Sequence, residues 1–120
     1  TVGQLCQKCI TGLGLERVRV SGDPERTVTR VGVMVGGLGQ DRHAVSWGRF
    51  LMGLGIEALL VGETNDFAQR FALDSGIALI ETCHSASEEP GLDAFARDLQ
   101  ARLPGAQALF RREQIPWTTI

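Results

Sequence analysis

Val2, Leu5, Cys6, Cys9, Ile10 and Leu13 recur at helical spacing, so residues 2–13 read as an amphipathic helix that Gly14 ends. Two β-rich runs follow, Glu16 to Val20 and Val28 to Val35, separated by the turn chemistry of Ser21-Gly22-Asp23-Pro24. The second run enters Gly36-Gly37-Leu38-Gly39. Beyond it Ala44, Val45, Trp47, Phe50 and Leu51 predict a glycine-interrupted helix ending by Gly53 or Gly55. A strand–loop–helix unit then occurs twice, which predicts a sheet that is at least partly parallel. In the first unit Glu57 to Val61 is the strand, and Thr64 is expected to cap a helix faced by Phe67, Ala68, Phe71 and Ala72. In the second, Ile77 to Ile80 is the strand and Glu81 to His84 the loop.

Ser87 reads as the N-cap of the last helix, which places Pro90 in a first turn where proline costs little. Its apolar face would be Leu92, Phe95, Ala96, Leu99 and Leu103, with Asp93–Arg97 and Asp98–Arg102 as acid-to-base pairs one turn apart. Pro104-Gly105 ends it, and Ala106 to Phe110 reads as a final strand. The expected fold is a single α/β domain over residues 1–120, a layered sheet of about five strands with flanking helices.

Composition narrows the function classes. Apolar residues make up 43% and charged residues 22% of the chain, the mix of a folded domain rather than a disordered tail. A net charge of −2 with scattered basic residues argues against nucleic-acid binding by charge. No apolar run approaches the roughly 18 residues of a membrane-spanning helix, and no signal-peptide pattern opens the chain. Three cysteines without framework spacing fit reduced thiols, so a cytoplasmic protein is expected. The start at Thr1, without Met, suggests processing or a piece of a longer protein.

The segment Thr82-Cys83-His84-Ser85-Ala86-Ser87-Glu88 lies where a strand gives way to a helix, the place where open α/β sheets put ligands. His84 offers an imidazole nitrogen and Glu88 a carboxylate, four residues apart, so both can address one divalent cation. The alternative is a loop histidine bonded to backbone and a glutamate that favours the helix dipole. Other features carry less. Cys6-x-x-Cys9 has the spacing of half a zinc knuckle but lies on an apolar helix face. The Gly36–Gly39 run lacks the rest of a nucleotide-binding glycine pattern, because Arg42 stands at its last position. His43 reads as a surface residue, or as one that faces the same sheet edge as His84.

Val61-Gly62-Glu63, the strand of Ile77 to Ile80, and His84 through Ser87-Glu88 followed by Pro90-Gly91-Leu92 together resemble the C-terminal half of the GTP cyclohydrolase I type 2-like family, also called NIF-three-like or YbgI-like. That family carries a Thr-Gly-Glu or Thr-Gly-Asp strand end and a Gly-His-x-x-Ser/Thr-Glu motif opening the last helix. The resemblance covers roughly residues 25 to 120. It implies two divalent metal ions, zinc, manganese or iron, in the complete site, with His84 and Glu88 as this half's ligands. A His-His pair and an Asp would come from another half, and nothing in this chain matches them.

The resemblance further implies a metal-dependent hydrolase acting on a small polar substrate, and a homo-oligomer, for which Phe110, Ile115 and Trp117 are candidate contacts. Glu63 would face the substrate or support the metal ligands, with Ser87 beside it; Glu63 as a mere helix cap is the alternative. Two departures weaken the catalytic part. Cys83 replaces the usual glycine, as a spectator, a soft extra ligand or the mark of a divergent branch. Thr64-Asn65-Asp66-Phe67 lacks the histidine that many members have there, and Val61 replaces the threonine. A non-enzymatic regulatory or protein-interaction module, with a structural or vestigial metal site, is the competing expectation.

Overall fold

The computed structural model describes residues 1–114, with the side chains of all but residues 41–45 and 47. The first amphipathic segment forms helix α1, Val2–Leu13, capped by the Thr1 side chain and ended by Gly14 in the left-handed conformation. The β-rich runs contract to short strands, β1 at Arg19–Ser21 and β2 at Val31–Met34. A single 3-10 turn at Gly36–Gly39 leads into α2, Asp41–Gly53. The two strand–helix units follow: β3 at Ala58–Val61 with α3 at Asp66–Asp74, then β4 at Ala78–Glu81 with α4 at His84–Arg102.

The sheet has four strands in the order β1-β4-β3-β2. Strands β2, β3 and β4 are parallel, and β1 closes one edge antiparallel to β4, with Val20 opposite Ile80. Alternation along β3 and β4 divides the core in two. Ala58, Ala78 and Ile80 meet Val2, Leu5 and Cys6 of α1 on one face. Met34, Leu59, Val61 and Leu79 meet Leu51 of α2 and Ala72 of α3 on the other. Each face removes aliphatic side chains from water, the main favourable term in folding. Because all three parallel strands end at one edge, the loops after them converge there.

Several expectations are corrected. Among the described residues the sheet has four strands rather than about five, because residues 106–110 form no strand. That segment instead runs back along α4, with Gln100 bonding the Ala106 carbonyl and the Ala108 amide. Asn65, not Thr64, caps α3, its side chain accepting from the Ala68 amide at 3.0 Å. Helix α4 begins at His84 rather than after Ser87, so His84 is a helical residue and not a loop residue, and Pro90 stands inside the helix. Cys83 precedes it with no side-chain cap.

The expected apolar face of α4 is open to solvent, with Leu92 52% and Phe95 62% exposed, and Phe67 of α3 is 84% exposed. Phe110 is half-buried, while Ile115 and Trp117 lie outside the described residues, as does the His43 side chain. Among the described residues no helix is long and apolar enough to cross a membrane.

Candidate functional site at the carboxyl edge of the sheet

Hydrogen bonding between the three parallel segments continues past the strand ends. The Gly62 amide donates to the Met34 carbonyl at 3.1 Å and the Glu63 amide to the Gly36 carbonyl at 2.9 Å. On the other side the Cys83 amide donates to the Gly62 carbonyl at 2.8 Å. Three loops are thereby locked side by side. Gly62 sits between two of them with no room for a side chain: a Cβ there would lie 2.6 Å from both the Gly36 nitrogen and the Ser87 hydroxyl. The Ser87 hydroxyl itself accepts from the Gly36 amide at 2.8 Å and donates to the His84 carbonyl at 2.7 Å. Ser87 therefore ties the glycine turn to the first turn of α4, which is why it does not cap the helix.

His84, the first residue of α4, and Glu88, one turn later, project from the same face. His84 Nε2 stands 3.5 Å from Glu88 Oε2, and His84 Nδ1 stands 3.2 Å from Glu63 Oε2, so the ring lies between two carboxylates. Glu63 is steadied by Gln40, whose amide donates to the same oxygen at 2.6 Å. Gly36, at φ 60°, adopts a backbone conformation that side chains disfavour, and the space its Cβ would fill is taken by the Glu88 carboxylate and by His84 Nε2. The bond to Glu63 raises the His84 pKa above its ordinary value, partly opposed by desolvation and reinforced by the charges of Glu63, Glu88 and Glu113.

The structure thus brings Glu63, His84, Ser87 and Glu88 together. Cys83 stands apart from them. It lines a separate groove with Leu15, Arg19 and Glu89, which neither His84 nor Glu88 borders, and its sulfur lies 3.8 Å from the Ser85 hydroxyl. Its φ of 99° is one that glycine takes freely and other residues rarely do. Cys6 and Cys9 are half-buried on α1, and burial pushes both thiols up in pKa, which keeps them protonated. Gln40 was not singled out by sequence reasoning. The available signal was its place between a glycine turn and a helix, at the same strand edge as His84.

The donor set fits one edge of a cation. Two ligands about 2.0–2.1 Å from a tetrahedral ion lie roughly 3.4 Å apart, close to the observed His84–Glu88 separation. Glu63 addresses the other ring nitrogen, so the two carboxylates flank the imidazole instead of converging, and among the described residues no group of three such side chains forms a ready cation site.

Fold and cluster together define a layered α/β domain with a histidine–carboxylate group at the carboxyl edge of its sheet. The model of the family Duf34/NIF3 (NGG1p interacting factor 3) matches residues 1–116, and the chain belongs to that family. The match takes in α1 and β1, a wider span than the sequence motifs had indicated. No curated protein matches the chain. Among solved structures it is similar to a Bacillus cereus protein related to NIF3, at 18% identity and a TM-score of 0.79, over 100% of this chain and 33% of that one. It is also similar to the Staphylococcus aureus protein SA1388, at 15% identity and a TM-score of 0.76, over 100% of this chain and 34% of that one. TTHA1606 from Thermus thermophilus aligns with a TM-score of 0.65 at 17% identity, over 98% of this chain and 44% of its own. At these identities the likeness is one of fold, and the chain spans about a third of the length of the first two.

Proposed function

We propose that this chain supplies His84 and Glu88 to a divalent-metal centre whose other ligands come from water or from protein beyond these 120 residues. The observation that carries the reading is the 3.5 Å approach of His84 Nε2 to Glu88 Oε2, above a glycine whose missing side chain makes the room that the two groups occupy. In its fuller form the proposal has this chain as the C-terminal half of a longer protein. Two cations, zinc, manganese or iron, lie between the halves, in a hydrolase for a small polar substrate. A cation held there supplies Lewis acidity and a bound water of lowered pKa. The residues of this chain bind and orient: His84 and Glu88 as donors, Ser87 by fixing the glycine turn against α4.

Calorimetric titration with zinc and with manganese tests the reading. Removing a metal ligand should cost more than the roughly 10- to 100-fold loss typical of residues behind the ligands. His84→Ala and Glu88→Ala are therefore each expected to lower affinity by more than about a hundredfold. Unchanged affinity for both metals in both variants would leave the cluster as a surface ion pair.

A second reading has one observation in its favour. Leu92 and Phe95 on α4, with Leu103 just past its end, leave apolar side chains exposed of the kind that protein contacts cover. Under that reading the chain is an interaction module, or assembles with further copies of itself.

A further inference from the structure

We propose that Glu63, braced by Gln40, is a positioning residue that decides which nitrogen of His84 carries the proton, and so whether Nε2 turns a lone pair or an N–H toward Glu88. The inference rests on the reading of His84 and Glu88 as cation donors, and adds how one of them is prepared. A neutral imidazole carries one N–H and one lone pair, and the partner of one nitrogen determines the role of the other. Both neighbours here are carboxylates, which when ionised only accept, so the single proton must go to one of them. Glu63 is the better placed. Its Oε2 is 3.2 Å from Nδ1, against 3.5 Å between Nε2 and Glu88. It is also held by the Gln40 amide at 2.6 Å, a bond from outside α4 that fixes the oxygen independently of the helix.

With the proton on Nδ1, the Nε2 lone pair faces the Glu88 oxygen. Two acceptors at that distance repel each other unless something positive lies between them, so the neutral ring is preset for a cation. The same carboxylate–histidine arrangement recurs behind metal-bound histidines. The chain Gln40–Glu63–His84–Glu88 joins the glycine-turn loop, the β3–α3 loop and α4 into one directed relay. Gln40 and Glu63 come from loops, and His84 opens the helix that follows a third, all three held side by side by the extended sheet hydrogen bonds.

The test is nitrogen-15 NMR of the metal-free protein at alkaline pH, where imidazoles are neutral, with the His84 signals assigned by their loss in His84→Ala. The wild type should show the Nδ1–H tautomer. Glu63→Ala should turn the majority to Nε2–H, the form favoured by free imidazole in water. Glu63→Gln should keep Nδ1–H, because its amide oxygen can still accept from both the ring and Gln40. Zinc affinity should fall about 10- to 100-fold in Glu63→Ala and recover in large part in Glu63→Gln. A merely structural Glu63 would change thermal stability and leave the tautomer alone; an unaltered tautomer in Glu63→Ala overturns the proposal. If the tautomer switches as expected but the wild type binds no zinc, the positioning role stands and the metal reading falls.

Discussion

The β3–α3 and β4–α4 junctions share a backbone plan and differ in how each helix begins. After β3 the chain uses Gly62 to pass between two neighbouring loops, presents Glu63, and starts α3 on Asn65, whose side chain takes the Ala68 amide at 3.0 Å. After β4 there is no side-chain cap. Cys83 turns the chain with a φ of 99°, and His84 opens the helix directly. The polar residues with the chemistry to cap α4 are used elsewhere: Ser87 bonds the Gly36 amide, and Glu81 receives Arg19 at 2.5 Å and the Thr64 amide at 3.1 Å. The first helix is thus capped by a side chain of its own junction, while the second starts without one and spends a strained residue to place its histidine. Local strain of this kind gathers where a side chain must be set for a task.

Three substitutions would break or sharpen that contrast. Gly62→Ala strikes what the junctions share, since its Cβ would press on the Gly36 backbone and the Ser87 hydroxyl at 2.6 Å. A clash with backbone has little room to relax, and a loss of about 3 kcal/mol in urea unfolding is expected. Asn65→Ala removes the cap that only the first junction has and should cost about 1 kcal/mol, read from the urea midpoint, without changing zinc affinity. Cys83→Gly should act in the opposite sense. It relieves a strain of order 1–3 kcal/mol and adds the backbone entropy of glycine, for a net gain of about 0.5–1 kcal/mol in the same measurement. A loss of stability in that variant would mean that the cysteine side chain contributes more to the groove it lines than its backbone costs.

Much of this architecture is legible in the residues. The aliphatic runs at 57–61 and 77–80, each followed by a helical pattern and a glycine stop, specify the parallel pair of strands because periodicity and turn chemistry agree there. His84 and Glu88 were legible as partners because four residues across a strand-to-helix turn let two side chains address one point, although the helical turn that brings them together was not. Nor was the start of α4. Ser87 has the chemistry of a cap and Pro90 suits a first turn, but a hydroxyl bonds whatever the tertiary structure offers, and here that is Gly36, distant in sequence. A role for Glu63 beside the histidine came only through the family resemblance, since its contact with His84 depends on which loops the sheet order sets side by side. The final strand failed for the opposite reason: residues 106–110 have strand-like composition but no free strand edge that they reach, and Gln100 engages their backbone instead.

The antiparallel edge has a consequence for the order in which the molecule assembles. Arg19 of β1 meets Glu81 of β4 across a separation of 62 residues, whereas each neighbouring pair in the parallel trio is joined through a single α-helix. Closing the longer loop costs more chain entropy, and its contacts cannot form until β4 is already in place. The parallel trio is therefore the natural nucleus, and the arm made of α1 and β1 docks onto a surface prepared for it. That arm carries Val2, Leu5 and Cys6, which cover one face of the finished sheet. Partial opening of the native protein should begin with the arm lifting away, exposing Ala58, Ala78 and Ile80 while the histidine edge, built on the other three strands, keeps its form.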